Sequence, residues 1–177
     1  MGNLDKKDES RVGRDQQRYA ESGARMVAGC ICLNEAKDKV IMISSSKHKD
    51  RWILPKGGIE LDEGEDFVVS AVRETWEEAG IEGKITQKLP VVYDKRKDAP
   101  IIKGEFNDII PKTEFHFYEM IIDTLSVKWP ESDKRQRKWC SYSEAKHELI
   151  KSNRLELIDA LNSCDILKDE ELDEDAY

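Results

Sequence analysis

The sequence contains little of what membrane and secreted proteins require. No apolar run approaches the roughly 20 residues that span a bilayer, and the first residues, Met1 to Lys7, lack the apolar character of a secretory signal. These absences predict a soluble intracellular protein, in the cytoplasm or in both the cytoplasm and the nucleus, without a membrane partner.

Cysteines are also few, and their spacing is unlike that of zinc motifs. The four are Cys30, Cys32, Cys140 and Cys164. Cys30 and Cys32 stand two apart in an apolar run, so both side chains point to one face of a strand, where neighbours make poor disulfide partners. We predict reduced core thiols rather than a metal or redox site. Since no Ser, Cys or His constellation for covalent catalysis is evident, any hydrolysis would use water.

The net charge of -8 is unfavourable for a protein that binds polyanions. Six acidic residues lie within 169–175, however, so the rest of the chain is close to neutral and its basic residues can cluster. Polar ends and a periodic middle predict a flexible extension over 1–20, one domain over 21–166 and an acidic, disordered tail over 167–177. A chain of this length suits one core, and we expect a monomer.

The most informative stretch is 57–81. It opens with two glycines, which allow close backbone approach to a ligand, and continues at helical spacing to Gly80, which ends the helix. Glu74, Glu77 and Glu78 project close together from that helix. The stacked pair Glu74 and Glu78 costs roughly 0.2–0.5 kcal/mol unless a cation neutralises it, and Mg²⁺ prefers such oxygen ligands. Taken alone, the triplet fits a solvated acidic helix face better than a metal site.

Strand patterns flank this helix on both sides. They predict strands near 24–33, 40–44, 52–55, 84–93, 114–122 and 139–142, the first two forming a hairpin. Ser143 is predicted to cap a helix from Glu144 to Lys151, and a further helix follows over 155–161. This order predicts an α+β fold around a mixed sheet.

The helix and its glycines resemble the Nudix box, whose usual form is G-x5-E-x7-R-E-U-x-E-E-x-G-U, with U apolar. The residues at the family spacing are Glu65, Arg73, Glu74, Glu77, Glu78, Gly80 and Ile81. Gly58 precedes Glu65 by six residues instead of five, which leaves open whether Glu63 or Glu65 is the first glutamate of the box, and Thr75 replaces an aliphatic residue. The resemblance covers about 23–164 and implies the Nudix fold, an α/β/α sandwich around a mixed β-sheet.

The resemblance also implies the catalytic roles. Glu74 and Glu78, with the backbone carbonyl of Lys56, would bind Mg²⁺ or a substitute such as Mn²⁺, and Glu77 would position or deprotonate the attacking water. Arg73 would orient the glutamates through charge-assisted hydrogen bonds.

Further segments outside or at the edge of the box are Arg25, Ser45 to Lys47, Arg51 to Gly58, Lys112 to Glu119 and Arg135 to Trp139. They resemble the diphosphoinositol polyphosphate phosphohydrolases, above all their fungal form, which also acts on diadenosine polyphosphates and inorganic polyphosphate. An inositol polyphosphate presents phosphates in several directions, so its site needs cations from separate segments. The candidate substrate-binding residues are Arg25, Ser45, Ser46, Lys47, Lys56, Gly57, Gly58, Lys112, Arg135 and Arg154. For each cation, a solvated surface position is the alternative, and we interpret His48 as a solvated loop residue and His116 as structural.

Two other functions stay open at this point. One is a Nudix enzyme for a different nucleoside diphosphate derivative, such as a sugar nucleotide or capped RNA. The other is a non-catalytic module that binds inositol phosphates. The partner that we expect is a phosphate-rich small molecule, with no nucleic acid as a binding partner.

Overall fold

The computed structural model describes residues 16–96, 101–103, 108–110 and 112–169. Its strands are β1 Arg25–Leu33, β2 Val40–Ser44, β3 Trp52–Ile53, β4 Lys56–Gly58, β5 Ile81–Lys88, β6 Val92–Tyr93, β7 Ile101–Lys103, β8 Asp108–Ile110, β9 Thr113–Leu125 and β10 Arg137–Cys140. Its helices are α1 Val68–Ala79, α2 Tyr142–Lys151 and α3 Leu155–Ser163, with one 3₁₀ turn at Leu61–Glu63. None of the helices in these ranges is both long and apolar enough to cross a membrane.

The central sheet is mixed. Its strand order is β10-β2-β1-β9-β5, in which β1 and β9 run parallel and the other neighbours run antiparallel. The predicted hairpin of β1 and β2 is confirmed. Near the middle, β4 pairs with β1 at Ala28 and Gly57, and this pairing brings the glycines of β4 against α1.

Alternating side chains of β1 face two separate cores. Val27 and Ile31 join the core that includes Leu149 of α2 and Leu161 of α3, whereas Cys30 joins the core that includes residues of α1. Successive side chains of a strand point to opposite faces, so a continuous apolar run is needed for a strand with helices on both sides. The α/β/α sandwich is confirmed.

The four cysteines are free and buried, as predicted. Burial raises the pKa of Cys30 to about 12, and it raises the pKa values of Cys140 and Cys164 to about 11, because an apolar environment disfavours the thiolate. The thiols therefore serve as small core residues.

The start of α2 corrects one prediction. Its N-cap is Ser141, not Ser143: the Ser141 hydroxyl accepts from the backbone N–H of Glu144, and the Glu144 carboxylate accepts from the N–H of Ser141. This reciprocal pair is a capping box. Ser143 lies in the first turn and donates its backbone N–H to Asp169 at 2.8 Å.

Backbone hydrogen bonds also join residues just outside the predicted domain boundaries to the domain. Residues 16–20, assigned to a flexible extension, bond to the sheet, since Arg18 donates its N–H to Ile59 at 2.7 Å and Met26 donates to Arg18 at 3.1 Å. Leu167, assigned to the tail, donates to the carbonyl of Lys37 at 2.7 Å. These backbone bonds attach both segments to the domain. The remainder of the predicted extension and tail, 1–15 and 170–177, lies outside the described residues.

Candidate active site

Helix α1 ends in a fully bonded cap. Gly80 adopts the left-handed conformation at φ 64° and donates its N–H to Trp76, which is the usual role of glycine after a helix. The next three carbonyls, of Glu77, Glu78 and Ala79, accept from Glu131 N, Trp129 Nε1 and Arg137 Nη1 at 3.1, 3.0 and 3.0 Å. A helix end leaves carbonyls without intrahelical partners, and here the segment 126–137 supplies them.

The three glutamates of α1 are all buried, at 8, 2 and 9% exposure for Glu74, Glu77 and Glu78. Arg73 donates through Nη1 to Glu74 at 2.7 Å and to Glu77 at 3.0 Å. Its Nε reaches Glu63 at 2.8 Å. One guanidinium thus contacts three carboxylates, and the cluster keeps an excess of negative charge if all are ionised.

Burial governs the protonation of this cluster. It raises the pKa of Glu74 to about 8, with repulsion from Glu78 as the next contribution. It also raises the pKa of Glu78, against the opposing charges of Arg135 and Lys56. Both shifts indicate carboxylates that lack enough positive charge around them.

Glu78 borders a cavity of about 820 Å³. The candidate residues that line it are Arg25, Ser45, Ser46, Lys47, Lys56, Gly57, Lys112, Arg135 and Arg154. Among the described residues that line the cavity, Glu78 is the one acidic side chain. A carboxylate of α1 and cations from distant parts of the sequence therefore meet at one opening.

Gly58, Glu74 and Glu77 do not line the cavity. A side chain at Gly58 would meet the amide of Gln17 at 2.4 Å, and the Gly58 carbonyl accepts from Arg73 at 2.8 Å. Gly58 therefore supports the arginine rather than a ligand. Glu74 and Glu77 both bond to Arg73.

Arg135 links the carboxylates to the cavity. It donates to Glu78 at 3.3 Å, to Glu131 at 2.9 Å and to the carbonyl of Ser44 at 3.1 Å. Beside it, burial and the charge of Arg154 lower the pKa of Lys56 to about 8, with smaller effects of Arg135 and Arg25. The cations are close enough to repel each other, which is typical of a site for a multiply charged anion.

Sequence reasoning missed several residues of the cavity wall. They are Tyr19, His48, Arg51, Arg96, Lys151, Ser152 and Asn153. Arg51 and His48 stand in the same basic loop as Lys47, which is a signal that sequence reasoning could have used. Arg96 and Lys151 carry no such signal, because only the folded chain brings them to the opening.

Comparison with known proteins identifies the fold. The NUDIX domain model matches residues 23–161. Nudix hydrolase 21, chloroplastic, from Arabidopsis thaliana is 38% identical over 141 residues, which cover 77% of this chain and 65% of that protein. Diphosphoinositol polyphosphate phosphohydrolase 3-alpha from Homo sapiens is 33% identical over 130 residues, covering 72% of this chain and 70% of that protein. A solved NUDIX hydrolase from Nitrosomonas europaea aligns with 68% of this chain and 59% of its own, at 18% identity and a TM-score of 0.47.

The chain belongs to the Nudix family. It spans about 65% of the length of the Arabidopsis relative. The Nudix fold expected from the sequence is confirmed by the family match and by the mixed sheet between helices.

The structure distinguishes the two candidates for the first glutamate of the Nudix box. Glu63 bonds to Arg73 through both carboxylate oxygens, at 2.8 and 2.9 Å, and accepts from Ser70 at 2.9 Å. The Glu65 side chain is 94% exposed, and its nearest cation is Arg18 at 3.6 Å. Glu63 therefore contacts the box arginine, although Glu65 stands at the usual spacing.

If Glu63 is the first glutamate of the box, the glycine at the usual spacing is Gly57 instead of Gly58. Gly57 precedes Glu63 by five residues, as in the usual box, while nine residues instead of seven separate Glu63 from Arg73. A Cβ at Gly57 would lie 2.1 Å from the carboxyl carbon of Glu74, so a side chain there would displace that carboxylate. The two additional residues fall between the 3₁₀ turn and α1, where a loop can absorb them.

The carboxylates of α1 are chemically suitable ligands for a divalent cation. Hard cations prefer carboxylate oxygens, the glutamates carry excess negative charge, and the Glu74 carboxylate lies directly against the backbone of Gly57. In the present side-chain positions Glu74 bonds to Arg73 and Glu78 to Arg135 and the N–H of Lys56, and no three acidic, His or Cys side chains within the described ranges converge as a metal-binding group. The ligand set stays a prediction.

Proposed function

We propose that this Nudix protein hydrolyses a phosphoanhydride bond of diphosphoinositol polyphosphates, with diadenosine polyphosphates and inorganic polyphosphate as further substrates. The observation that carries the proposal is the meeting of Glu78 with cations of separate segments at one cavity. The glutamates of α1 suit the hydrolysis of a phosphoanhydride, and the cations of the cavity suit a substrate with many phosphates.

The relatives support the substrate class. Human diphosphoinositol polyphosphate phosphohydrolase 3-alpha is similar over 72% of the chain. The cavity supports it independently, because Arg25, Lys56 and Arg135 come from three separate segments and line the same cavity. A linear nucleotide needs cations from fewer directions than a ring that carries a phosphate on most of its carbons.

Within this proposal the three glutamates of α1 have two roles. Glu77, held by Arg73 at 3.0 Å, positions the attacking water or takes up its proton. Glu74, Glu78 and the carbonyl of Lys56 would hold Mg²⁺, or Mn²⁺ in its place. When bound, such an ion neutralises charge on the bridging oxygens and makes an attacking water more acidic. Arg135 would bind a substrate phosphate next to the glutamates, since it contacts Glu78 and lines the cavity.

A substrate panel tests the proposal. The purified chain is incubated with Mg²⁺ and, in turn, a diphosphoinositol polyphosphate, a diadenosine polyphosphate, inorganic polyphosphate, a sugar nucleotide and capped RNA. We expect orthophosphate from the diphosphoinositol compound and mononucleotides from the diadenosine compound. Hydrolysis of the sugar nucleotide or capped RNA alone would contradict the proposed substrate. Tight binding of inositol hexakisphosphate without hydrolysis of any substrate would indicate a binding module.

A further inference from the structure

The cavity wall next to α3 contains two arginines that are each tied to an acid. Arg96 follows β6 and donates through Nε to both oxygens of Asp94 at 3.0 and 3.1 Å, and through Nη2 at 2.5 Å. Arg154 precedes α3 and donates through Nε to Glu156 at 2.7 Å. Both arginines line the cavity, whereas neither acid does.

In both pairs the acid is more deeply buried than the arginine. The carboxylates of Asp94 and Glu156 are both 0% exposed, while the side chains of Arg96 and Arg154 are 34 and 13% exposed. A fully buried carboxylate cannot contact a ligand in the cavity, but it can fix the guanidinium that does. Such fixing reduces the side-chain entropy that an arginine loses when it binds an anion.

The two pairs are neighbours in space. The charge of Arg154 contributes to the lowered pKa of Asp94, after the opposing effect of burial and the bonds from Arg96. Lys95, between the members of the first pair, forms a half-exposed ion pair with Asp159 of α3. The aromatic ring of Phe115 lies under Arg154, 5.7 Å from its guanidinium carbon.

We infer that Arg96 and Arg154 form a second anion subsite, held in place by Asp94 and Glu156, for a substrate phosphate other than the one that is hydrolysed. The inference rests on the proposed function. It adds Arg96 as a residue that binds substrate, and it makes Asp94 and Glu156 positioning residues. The ligand chemistry is a phosphate monoester on a ring or chain whose reacting phosphoanhydride lies near Glu78.

Paired substitutions test the subsite without leaving a buried charge. Arg96→Gln with Asp94→Asn, and Arg154→Gln with Glu156→Gln, remove both charges of a pair and keep a hydrogen-bonding group at each position. The matched control is Lys95→Ala, which removes a cation of the same segment that does not line the cavity and whose ion pair with Asp159 is half-exposed. Binding is measured by calorimetry with inositol hexakisphosphate, which presents phosphates in many directions, and with pyrophosphate, which is compact.

The charge-assisted hydrogen bonds that each arginine makes to a phosphate should raise the affinity about tenfold or more. We expect both paired variants to bind inositol hexakisphosphate at least about tenfold more weakly and to bind pyrophosphate almost normally, while Lys95→Ala retains both affinities. Unchanged affinity for inositol hexakisphosphate in both paired variants would overturn the subsite. Equal losses for both ligands would overturn it as well, since a general loss of charge or structure explains them.

The positioning role has a separate readout. Asp94→Asn and Glu156→Gln keep the arginines but weaken their fixation, so we expect KM for the diphosphoinositol substrate to rise severalfold while kcat stays near its original value. A fall in kcat with unchanged KM would contradict positioning at a remote phosphate.

The two proposals can fail separately. If the chain binds inositol hexakisphosphate in a manner that depends on Arg96 but hydrolyses no diphosphoinositol compound, the subsite stands and the proposed function is wrong. If it hydrolyses that compound with the same KM in the paired variants, the function stands and the subsite is wrong.

Discussion

At the scale of residues, Arg73 organises the catalytic helix. Its guanidinium contacts Glu63, Glu74, Glu77 and the carbonyl of Gly58. Burial works against its charge, but these bonds outweigh that effect and keep its pKa above the usual value. The arginine is therefore charged in the folded protein and holds the glutamates by charge-assisted hydrogen bonds.

Glu63 and Glu65 make a matched pair of tests. Glu63→Gln removes a charge that bonds twice to Arg73, so we expect a loss of about 1–3 kcal/mol in the free energy of unfolding and lower turnover. Glu65→Gln changes an exposed side chain and should alter stability by less than about 0.5 kcal/mol. Urea unfolding of both variants checks this. The reverse order would show that Glu65 is the glutamate of the box.

The proposed base gives a second prediction. Glu77→Gln keeps the shape of the side chain but removes its basicity, so kcat should fall at least about 100-fold. Steady-state kinetics at saturating Mg²⁺ measures the change. Original turnover in this variant would remove Glu77 from the reaction.

Arg135 is less suitable as a simple test of specificity than its sequence position suggests. The structure joins it to Glu78, Glu131 and Ser44, so its removal would disturb the carboxylates as well as the substrate site. Arg154 and Arg96 bond to Glu156 and Asp94 instead of to the glutamates of α1, so they separate ligand binding from chemistry more clearly.

At the scale of elements, α1 depends on the segment that follows β9. Trp129 donates from its indole to Glu78, and its ring lies under the guanidinium carbon of Arg137 at 4.1 Å. A Cβ at Gly80 would lie 2.7 Å from that ring. The end of the catalytic helix is therefore built jointly by Gly80 and by a segment almost fifty residues later.

Trp129→Phe tests this cap. The change keeps the ring but removes the N–H donor to the Glu78 carbonyl, so we expect a loss of about 0.5–1.5 kcal/mol in the free energy of unfolding and a lower kcat because Glu78 is less well fixed. Trp139→Phe, at a partly exposed position of β10, is the control and should change neither. An unaltered kcat in Trp129→Phe would limit the role of the cap to stability.

Element prediction succeeded where the signal was local. The period of α1 and the glycine after it stand within one stretch of sequence, so the helix could be read directly. The start of α2 could not be read in this way, because Ser141 and Ser143 are both good N-cap residues. Which of them caps the helix depends on the Glu144 carboxylate, which accepts from the backbone N–H of Ser141.

At the scale of the whole molecule, charge and hydrophobicity are separated in space. A chain of net charge -8 nevertheless assembles a cavity lined with cations. Its thiols lie in the two cores on either side of the sheet, so the cysteines contribute to packing and not to the cavity.

The raised thiol pKa values give a prediction for the whole fold. At pH 8 the native protein should react slowly with Ellman's reagent, and all four thiols should react once it is unfolded in guanidinium chloride. Because the unfolded thiols lose protons near pH 9 and the buried ones do not, stability should fall as pH rises above about 9. Rapid reaction of even one thiol in the native state would contradict the buried placement.

The sequence by itself determined the carboxylate helix, the family and the type of reaction to expect, because these depend on residues at fixed spacing within one segment. Only the tertiary structure decided which glutamate meets Arg73 and which cations share the cavity. The first depends on the path of the loop between the 3₁₀ turn and α1, which brings Glu63 inward and leaves Glu65 in solvent. The second depends on sheet order and on the α2–α3 turn, which bring Arg25, Arg96 and Arg154 together from positions far apart in the chain.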